Sequence, residues 1–329
     1  MTDVRRIEAG QVTRRGAEDE AAAAVDLTTE LAGVELPNPI LTASGCFASG
    51  PEIDRFYDVE ELGAIVVKSV TLEPREGLPT PRMAETPSGM LNAIGLQNPG
   101  IDGWLANDLP WLQGKGARVV ASIAGSSVDE FRQVARRLRH RASIVAVEVN
   151  LSCPNVDHRG LVFACSPIAS AEVITAVKRE VDVPVIAKLT SDVTDVVEVA
   201  RAVMDAGAHG LTLINTVLGM HIDPESGRPG LYNTYGGLSG PAIRPIAVRN
   251  VHQVHQALPD VPILGCGGVR DVGDVVQFLR AGASAVSVGT ATFVDPFVGQ
   301  RLIAELRTWL SARGFGSVRD LIGTVEPWA

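Results

Sequence analysis

The chain has 329 residues, of which 46% are hydrophobic and 20% charged, and its formal net charge is −9. This composition predicts a folded chain with a sizeable core, arranged as one large domain or two ordinary ones. The negative charge argues against non-specific nucleic-acid binding and against docking on an anionic membrane, because both need clustered Lys and Arg. We also expect no membrane span and no secretory signal, because no apolar run has the required length or position.

Residues 1–25 are polar, so we expect a flexible N-terminal extension followed by a single domain over residues 26–329. From about residue 26, short apolar runs rich in Val and Ile alternate with longer amphipathic segments. The short runs are predicted to be strands that are buried on both faces. Eight such runs occur, at 38–44, 64–69, 118–124, 144–150, 183–189, 210–215, 261–268 and 284–289.

The amphipathic segments predict helices at 128–140, 194–207 and 271–282. Eight strands that alternate with helices predict an α/β fold of the (β/α)8 TIM-barrel class. A doubly wound open sheet is the alternative, but no GxGxxG follows the first strand. Two connections are long, at 70–117 and 216–240. We predict that they form functional loops at the C-terminal face, where barrel active sites lie.

Lys68 and Lys188 are two of only four lysines, and each follows or ends an apolar strand. A lysine at such a position is costly to bury unless an anionic or strongly accepting group meets it. One such lysine could reach solvent or pair with a neighbouring carboxylate. Two of them on one face favour a shared ligand.

Glycine-rich turns follow the last two predicted strands, GCGG at 265–268 and SVGT at 287–290. Glycine exposes backbone N–H groups, and a helix beginning near Asp271 adds its positive end, so this region predicts a phosphate site. Asparagines are also frequent at strand ends and in loops. Any one of them could serve only a turn, but together their amides suit a planar polar ring such as a flavin or a pyrimidine. They are Asn92, Asn98, Asn150, Asn155 and Asn215.

The four cysteines, Cys46, Cys153, Cys165 and Cys266, form no CxxC pair and no metal-ligating cluster, so no metal site is predicted. Their sparse use is typical of a reducing, cytoplasmic compartment. Cys46 and Cys266 are interpreted as small buried hydrophobes. Cys153 differs because Ser, Pro and Asn around it indicate a loop at the catalytic face, where a thiol can act as nucleophile, ligand or base. A pairing with His158 and a disulfide with Cys165 remain alternatives.

Eight short motifs follow one another along the chain. They are ASGCF (43–47), VVKSVT (66–71), GMLNAIGLQNPG (89–100), EVNLSCPNV (148–156), LINT (213–216), GGLSGPAI (236–243), GCGGV (265–269) and SVGTATFVDPF (287–297). Together they resemble the motifs of the class 1 dihydroorotate dehydrogenases, nearest to the NAD-linked type B catalytic subunit. The resemblance covers about residues 27–325, and NAIGLQNPG and NLSCPN are its most specific segments.

The resemblance implies an FMN-containing barrel that oxidises (S)-dihydroorotate to orotate in pyrimidine biosynthesis. Cys153 would be the base that removes the C5 proton, Lys68 would assist it, and a hydride would pass from C6 to flavin N5. The implied substrate-binding residues are Lys68, Asn92, Ala93, Ile94, Gly95, Leu96, Asn150, Asn155, Asn215 and Thr216. The implied FMN-binding residues are Ser44, Lys68, Ser69, Asn150, Lys188, Ile214, Gly240, Gly267, Gly268, Gly289 and Thr290.

The type B resemblance further implies a homodimeric core and a partner subunit with an iron–sulfur cluster and FAD, which passes electrons to NAD. Four cysteines at these spacings cannot ligate such a cluster, so NAD use would need that second protein. The sequence departs from the family pattern at Ser122, where Asn is usual, and over residues 157–167, where a glycine-rich loop is usual. These departures put one FMN contact and the substrate range in question.

Three alternative functions remain open on the sequence. A related flavin barrel could act on dihydrouracil or dihydrothymine, although Asn155 stands where that branch has His. A flavin-free barrel could bind a phosphorylated sugar and use Lys188 as a Schiff-base lysine. An idle barrel could bind flavin without turnover.

Overall fold

The computed structural model describes residues 24–152, 154–155 and 161–328, and within them sixteen short strands and seven α-helices alternate along the chain. The strands are β1 (Thr29–Leu31), β2 (Val34–Leu36), β3 (Ile40–Thr42), β4 (Ile65–Val66), β5 (Met83–Thr86), β6 (Gly89–Asn92), β7 (Val119–Ile123), β8 (Ile144–Asn150), β9 (Pro154–Asn155), β10 (Leu161–Val162), β11 (Val185–Leu189), β12 (Gly210–Leu213), β13 (Val217–Met220), β14 (Tyr235–Ser239), β15 (Ile263–Cys266) and β16 (Ala285–Val288). The helices are α1 (Gly100–Gly114), α2 (Val128–Arg137), α3 (Pro167–Lys178), α4 (Val196–Asp205), α5 (Arg244–Ala257), α6 (Val272–Ala281) and α7 (Val298–Ser311).

Eight parallel strands form the central sheet in the order β3-β16-β15-β12-β11-β8-β7-β4. A bridge between Leu41 and Ala64 brings the two edge strands together. The Thr42 hydroxyl reinforces this seam, since its Oγ1 accepts from Val66 N at 2.8 Å and donates to Val66 O at 3.0 Å. The predicted (β/α)8 barrel is confirmed, and each of the eight predicted apolar runs contains one barrel strand.

Helices α2, α4 and α6 confirm the three predicted helices, and side chains cap their N-termini. Ser127 accepts from Glu130 N at the start of α2, and Asp195 accepts from Val197 N at the start of α4. Asp271 forms a capping box with Asp274 at the start of α6. The expected alternation fails once. Among the described residues, the connection between β3 and β4 contains turns and one 3-10 segment, Val59–Glu61, but no α-helix.

The hairpin of β1 and β2 closes the N-terminal end of the barrel. Its Leu31, Ala32 and Leu36 pack against an apolar layer of barrel side chains. This hairpin was not predicted. It acts as an apolar cap that buries the side chains at the open end of the barrel. The layer consists of Leu41, Val66, Val120, Ala146, Ile186, Leu264 and Ala285, joined by Ala64.

The two long connections contribute a second sheet, in the order β13-β14-β6-β5, with antiparallel pairing throughout. Its strands come from the segments that follow β4 and β12, so it lies beyond the C-terminal ends of the barrel strands. The prediction of long loops at this face is therefore correct in position, but the loops contain an ordered sheet. Among the described residues, no helix has the length and hydropathy needed to cross a membrane.

Candidate active site

Polar side chains form the layer of the barrel interior that faces the C-terminal end. Side chains of a strand alternate between its two faces, so every second residue points inward. Two residues beyond the apolar layer, the inward positions are the polar residues Ser122, Glu148, Lys188 and Ser287 and the thiol Cys266, all buried. The barrel is thus apolar where the hairpin closes it and polar where the active-site face begins.

A cavity of about 250 Å³ opens above this polar layer. It lies between the strand ends β3, β11, β12, β15 and β16 and the turn that follows β14. Asn215 and Thr216 of the predicted substrate set also line it. The predicted cofactor residues in its wall are Ser44, Lys188, Ile214, Gly240, Gly267, Gly268, Gly289 and Thr290.

The turn after β15 requires glycine for two reasons. Gly267 and Gly268 have φ values of 136° and 78°, which side-chain-bearing residues rarely adopt. A Cβ atom on Gly268 would also lie 2.8 Å from Gly240 O, and one on Gly267 would lie 2.8 Å from Ala247 Cβ. The cavity wall is therefore bare backbone, and α6 begins just beyond it at Val272. This arrangement suits a phosphate group.

Lys188 lies at the floor of the cavity and is 3% exposed. Its Nζ donates to Ser44 Oγ at 3.0 Å and lies 3.6 Å from Glu148 Oε1. Burial is the largest single influence and opposes the charged form, but the Glu148 carboxylate, together with Cys266 and Cys46, holds the pKa of Lys188 above its usual value. Lys188 is therefore a buried cation at a ligand cavity, and the carboxylate pairing considered from the sequence is also present.

Amide and hydroxyl groups link the predicted residues Asn150, Asn215 and Ser69. Asn215 Nδ2 donates to Asn150 Oδ1 at 3.1 Å, and Asn150 Nδ2 donates to Ser69 Oγ at 3.4 Å. Ser69 Oγ in turn lies 2.8 Å from Ser122 Oγ. Asn150 and Ser69 are buried, so these contacts fix their side chains beside the cavity. Ser122, which departs from the family pattern, is thus an integral part of this network.

Lys68 follows β4 and is half-buried. Its backbone N donates to Ala48 O at 2.9 Å. A Cβ atom on Gly45 would lie 4.0 Å from Lys68 Nζ, so the ammonium group faces the turn that follows β3. Lys68 therefore lies on the same face of the barrel as Lys188, as the sequence predicted, although it is not part of the cavity wall.

The segment from Asn92 to Leu96 leaves the end of β6. Asn92 Nδ2 donates to Gly237 O at 3.2 Å, which ties it to β14. Backbone bonds hold the next residues, with Ala93 N donating to Arg82 O and Ile94 O accepting from Leu78 N. Gly95 and Leu96 both have positive φ values, of 76° and 56°. The structure orders this segment at the C-terminal face but outside the cavity wall, so a role in substrate binding stays a prediction.

Asn98, grouped with the other asparagines on the sequence, has a structural role. Its Oδ1 accepts from Thr71 N and Gly100 N, and its Nδ2 donates to Thr71 Oγ1 and Leu96 O. The backbone of Asn155 pairs with Leu161 in the two-residue ladder of β9 and β10. Cys153 and His158 lie outside the described residues.

The other cysteines are protonated thiols. Burial raises the pKa of Cys46 to about 11 and raises the pKa of Cys266 as well. Both line the cavity, which agrees with their interpretation as small hydrophobes rather than nucleophiles. Cys165 is exposed, and its Sγ lies 3.6 Å from Asp192 O. The part of the chain that the structure describes contains no group of three or more His, Cys, Asp or Glu arranged to hold a metal ion.

Sequence reasoning missed Glu148 and Thr212 beneath the cavity, and Arg270 and Arg301 in its wall. Glu148 had a signal, because a single acidic residue interrupts the apolar run IVAVEVN. The arginines had none, and each has acidic partners. Arg301 pairs with Asp295 and Glu305, and Arg270 with Asp271 and Asp274.

A family model described as dihydroorotate dehydrogenase matches residues 26–310. The chain belongs to this family. It is 51% identical over 297 residues to a protein of Anoxybacillus flavithermus named dihydroorotate dehydrogenase B (NAD(+)), catalytic subunit, covering 90% of this chain and 95% of that protein. Proteins of the same name from Bacillus pumilus and Listeria monocytogenes serovar 1/2a are 52% and 50% identical, again over 90% of this chain and over 96% and 97% of theirs. The resemblance stated from the motifs is confirmed.

Membership of the dihydroorotate dehydrogenase family gives the two sequence departures a structural context. Ser122 places a hydroxyl between Ser69 and Glu148. Of the 157–167 segment, β10 and the 3-10 turn Phe163–Cys165 are described, and Phe163 is buried edge-to-face against Phe131 of α2 at 5.7 Å between ring centroids. The C-terminal part of this segment is thus anchored to the barrel.

Proposed function

We propose that this chain oxidises (S)-dihydroorotate to orotate, as a step of pyrimidine biosynthesis, with FMN as its flavin. The observation that carries the proposal is the cavity at the C-terminal face, which combines bare glycine backbone, a buried cation and adjoining amides. Its chemistry suits a phosphorylated planar heterocycle. The curated relatives at about half identity are named for this reaction.

The described residues fit FMN. Backbone N–H groups of the turns at Gly267–Gly268 and Gly289–Thr290 would hold its phosphate, aided by the N-terminus of α6. Lys188 and Ser44 would hold the ring system from the barrel side, with Ser69 and Asn150 beside it. Bound there, FMN supplies the acceptor for the hydride that leaves C6 of the substrate.

The protein's own part in the reaction is to bind the pyrimidine and to remove a proton. Asn150, Asn215 and Thr216 lie next to one another and offer neutral donors and acceptors to a ring with carbonyl and N–H groups. Asn92, Asn155 and the segment at 93–96 would complete the binding site. Lys68, on the same face, would supply a positive charge near the substrate carboxylate or the developing negative charge.

Cys153 would take the C5 proton. A thiol has an unperturbed pKa of about 8.5, so a modest fraction is thiolate near neutral pH, and a neighbouring cation increases that fraction. The proposal for Cys153 rests on its place in the NLSCPN motif, and Lys68 is the cation that we propose for it.

The reduced flavin must be reoxidised, and we infer a separate electron-transfer subunit with an iron–sulfur cluster and FAD, linked to NAD. The names of the relatives support this, because they are described as catalytic subunits of a NAD(+) enzyme. A homodimeric core and a cytoplasmic location are part of the same proposal.

An anaerobic visible spectrum of the purified chain, before and after dihydroorotate, tests the function. We expect a flavin band that bleaches with dihydroorotate and not with dihydrouracil. The Cys153→Ala variant should keep the band but bleach roughly 100- to 10,000-fold more slowly near neutral pH, because it lacks the base. Cys165→Ala is the matched thiol control and should behave as wild type.

Other outcomes of this experiment would favour the alternatives. Bleaching by dihydrouracil would indicate the neighbouring pyrimidine enzymes. A band that neither compound bleaches would indicate an idle barrel. The absence of a flavin band after addition of FMN would contradict the proposal. The glycine-rich turns would then be expected to bind a different phosphorylated ligand.

A further inference from the structure

Glu148 is a buried carboxylate beneath the cavity, and the roles proposed so far do not use it. It is 1% exposed. Its Oε1 accepts from Ser122 Oγ at 3.1 Å, and its Oε2 accepts from Thr212 Oγ1 at 3.0 Å. Lys188 Nζ lies 3.6 Å from Oε1. A carboxylate is costly to bury unless hydrogen-bond donors and a cation surround it. Here the contacting groups are two hydroxyl donors and one ammonium group.

The first consequence concerns the charge of Lys188. The groups that face its ammonium are Glu148 from β8, Cys266 from β15 and, from the turn after β3, Cys46 and Ser44. The two thiols are neutral near neutral pH, because burial raises the pKa of each. Glu148 is therefore the carboxylate, among the described groups, that keeps this buried lysine charged.

The second consequence concerns the direction of the hydrogen bonds. An ionised carboxylate can only accept, so the Ser122 hydroxyl must donate to Glu148. The single Ser122 proton is then used, and Ser69 must donate to Ser122 across their 2.8 Å contact. Ser69 Oγ can consequently only accept from Asn150, which turns Nδ2 of that amide toward Ser69.

The same direction continues to the second amide. With Nδ2 of Asn150 facing Ser69, its Oδ1 accepts from Asn215 Nδ2 at 3.1 Å. The Oδ1 of Asn215 then accepts from Thr216 N at 2.8 Å. In the described contacts, each amide uses one N–H in this chain and retains the other for a ligand. Backbone N–H groups favour the same arrangement, since Ser152 N donates to Asn150 Oδ1 at 3.3 Å and Thr216 N donates to Asn215 Oδ1. The carboxylate and the backbone thus support one orientation of both amides beside the cavity.

We propose that Glu148 is a positioning residue of the flavin site, which keeps Lys188 cationic at the cavity floor and, through Ser122 and Ser69, supports the orientation of Asn150 and Asn215. The inference rests on the proposed function, since it takes FMN as the ligand of the cavity. Glu148 itself need not touch the cofactor.

The Glu148→Gln variant tests this inference through FMN binding rather than turnover. We expect the dissociation constant for FMN, measured by the quenching of FMN fluorescence, to rise roughly 10- to 100-fold, as when one member of a buried charge pair is removed. Without Glu148, the burial of Lys188 is less opposed, so its pKa falls. Measured from about pH 7 to pH 9, the FMN affinity of the variant should therefore decrease more with rising pH than that of the wild-type protein.

Two further variants separate the charge from the fold. Thr212→Val removes one hydrogen bond to the same carboxylate but keeps its charge, and should bind FMN nearly as the wild-type protein does at each pH. The double variant Glu148→Gln/Lys188→Met removes both charges. It should melt at a higher temperature than Glu148→Gln, bind FMN weakly, and show no pH dependence in this interval. It also provides a folded protein if the single variant is too unstable to purify.

The outcomes distinguish this inference from the proposed function. Wild-type-like FMN affinity and pH profile in Glu148→Gln would overturn the role of Glu148 alone. So would a pH dependence that persists in the double variant, because Lys188 would then not be the titrating group. A wild-type protein that fails to bind FMN would overturn the proposed function, and this inference with it.

Discussion

At the scale of single residues, the candidate site is defined by where buried charge and bare backbone occur together. Lys188 was predictable, because a lysine at the end of an apolar run needs an acceptor. The hydrogen-bond partners were not, because Ser44, Glu148 and Lys188 come from three different strand regions. Ser122 was seen on the sequence only as a departure from a family pattern, and its contacts with Ser69 and Glu148 required the structure.

Cys46 offers a chemical probe of the cavity at the same scale. Because burial raises its thiol pKa to about 11, the thiolate that reacts with iodoacetamide is scarce near pH 8. We expect alkylation of Cys46 to be slower than that of exposed Cys165, and to be slowed further by FMN, since Cys46 lines the cavity. Mass spectrometry of the two peptides measures both rates.

Cys165 is the internal control, because it lies outside that cavity and its alkylation should not respond to FMN. Equal protection of both thiols would indicate a general stabilisation of the protein. No protection of Cys46 would place FMN elsewhere.

At the scale of elements, the barrel strands and three helices followed from apolar periodicity, but the accessory elements did not. The β1–β2 hairpin turns through Ala32 and Gly33, which have φ values of 55° and 81°. Its three-residue strands are too short for a periodic signal, and Leu-Ala-Gly-Val lacks the Asn-Gly or Asp-Gly pair that marks such turns. The antiparallel sheet was not predicted either, since β14 contains two adjacent glycines, and glycine in a sequence usually indicates a loop rather than a strand.

The hairpin should contribute stability without affecting ligand binding. Leu36 is 1% exposed and packs in the apolar layer at the end of the barrel opposite the cavity. Leu36→Ala should lower the free energy of unfolding by about 2 to 5 kcal/mol, as for other large-to-small core substitutions. Urea denaturation measures this, and FMN affinity of the folded variant should be unchanged.

Glu35→Ala is the matched control on the same strand, where the side chain is exposed, and should change the stability by less than about 0.5 kcal/mol. A change in FMN affinity for Leu36→Ala would show that the two ends of the barrel are coupled.

At the scale of the whole molecule, the two ends of the barrel domain are joined. Asp26 N donates to Gly316 O, and Val318 N donates to Asp26 O, both at 2.9 Å. Arg307 Nη1 donates to Val25 O at 2.6 Å, and Val25 and Leu27 are both buried in the main core. The domain boundary near residue 26 stays a prediction, and among the described residues Val25 and Leu27 already belong to the core.

Truncation tests this boundary. Deletion of residues 1–23 should leave the melting temperature and FMN affinity unchanged, because the deletion ends before the buried Val25. Deletion of residues 1–28 removes Val25 and Leu27 as well, and should cost roughly 3 to 6 kcal/mol, about 1.5 to 3 for each buried side chain. Differential scanning calorimetry of the two truncated proteins compares them. Destabilisation by the shorter deletion would assign a folding role to the N-terminal extension.

The junction of Asp26 with residues 316–318 has another consequence, because β3 and β16, the first and last barrel strands, are also neighbours in the sheet. Because the barrel is a closed ring of strands, no strand is structurally the first. The same fold could therefore form with the chain termini placed at a different connection. A short linker from the C-terminal segment to Asp26 would allow the chain to be reopened in the exposed turn at 223–227, giving a circular permutant with the same barrel. The order in which the ribosome makes the strands would change, while the neighbours of every strand would not.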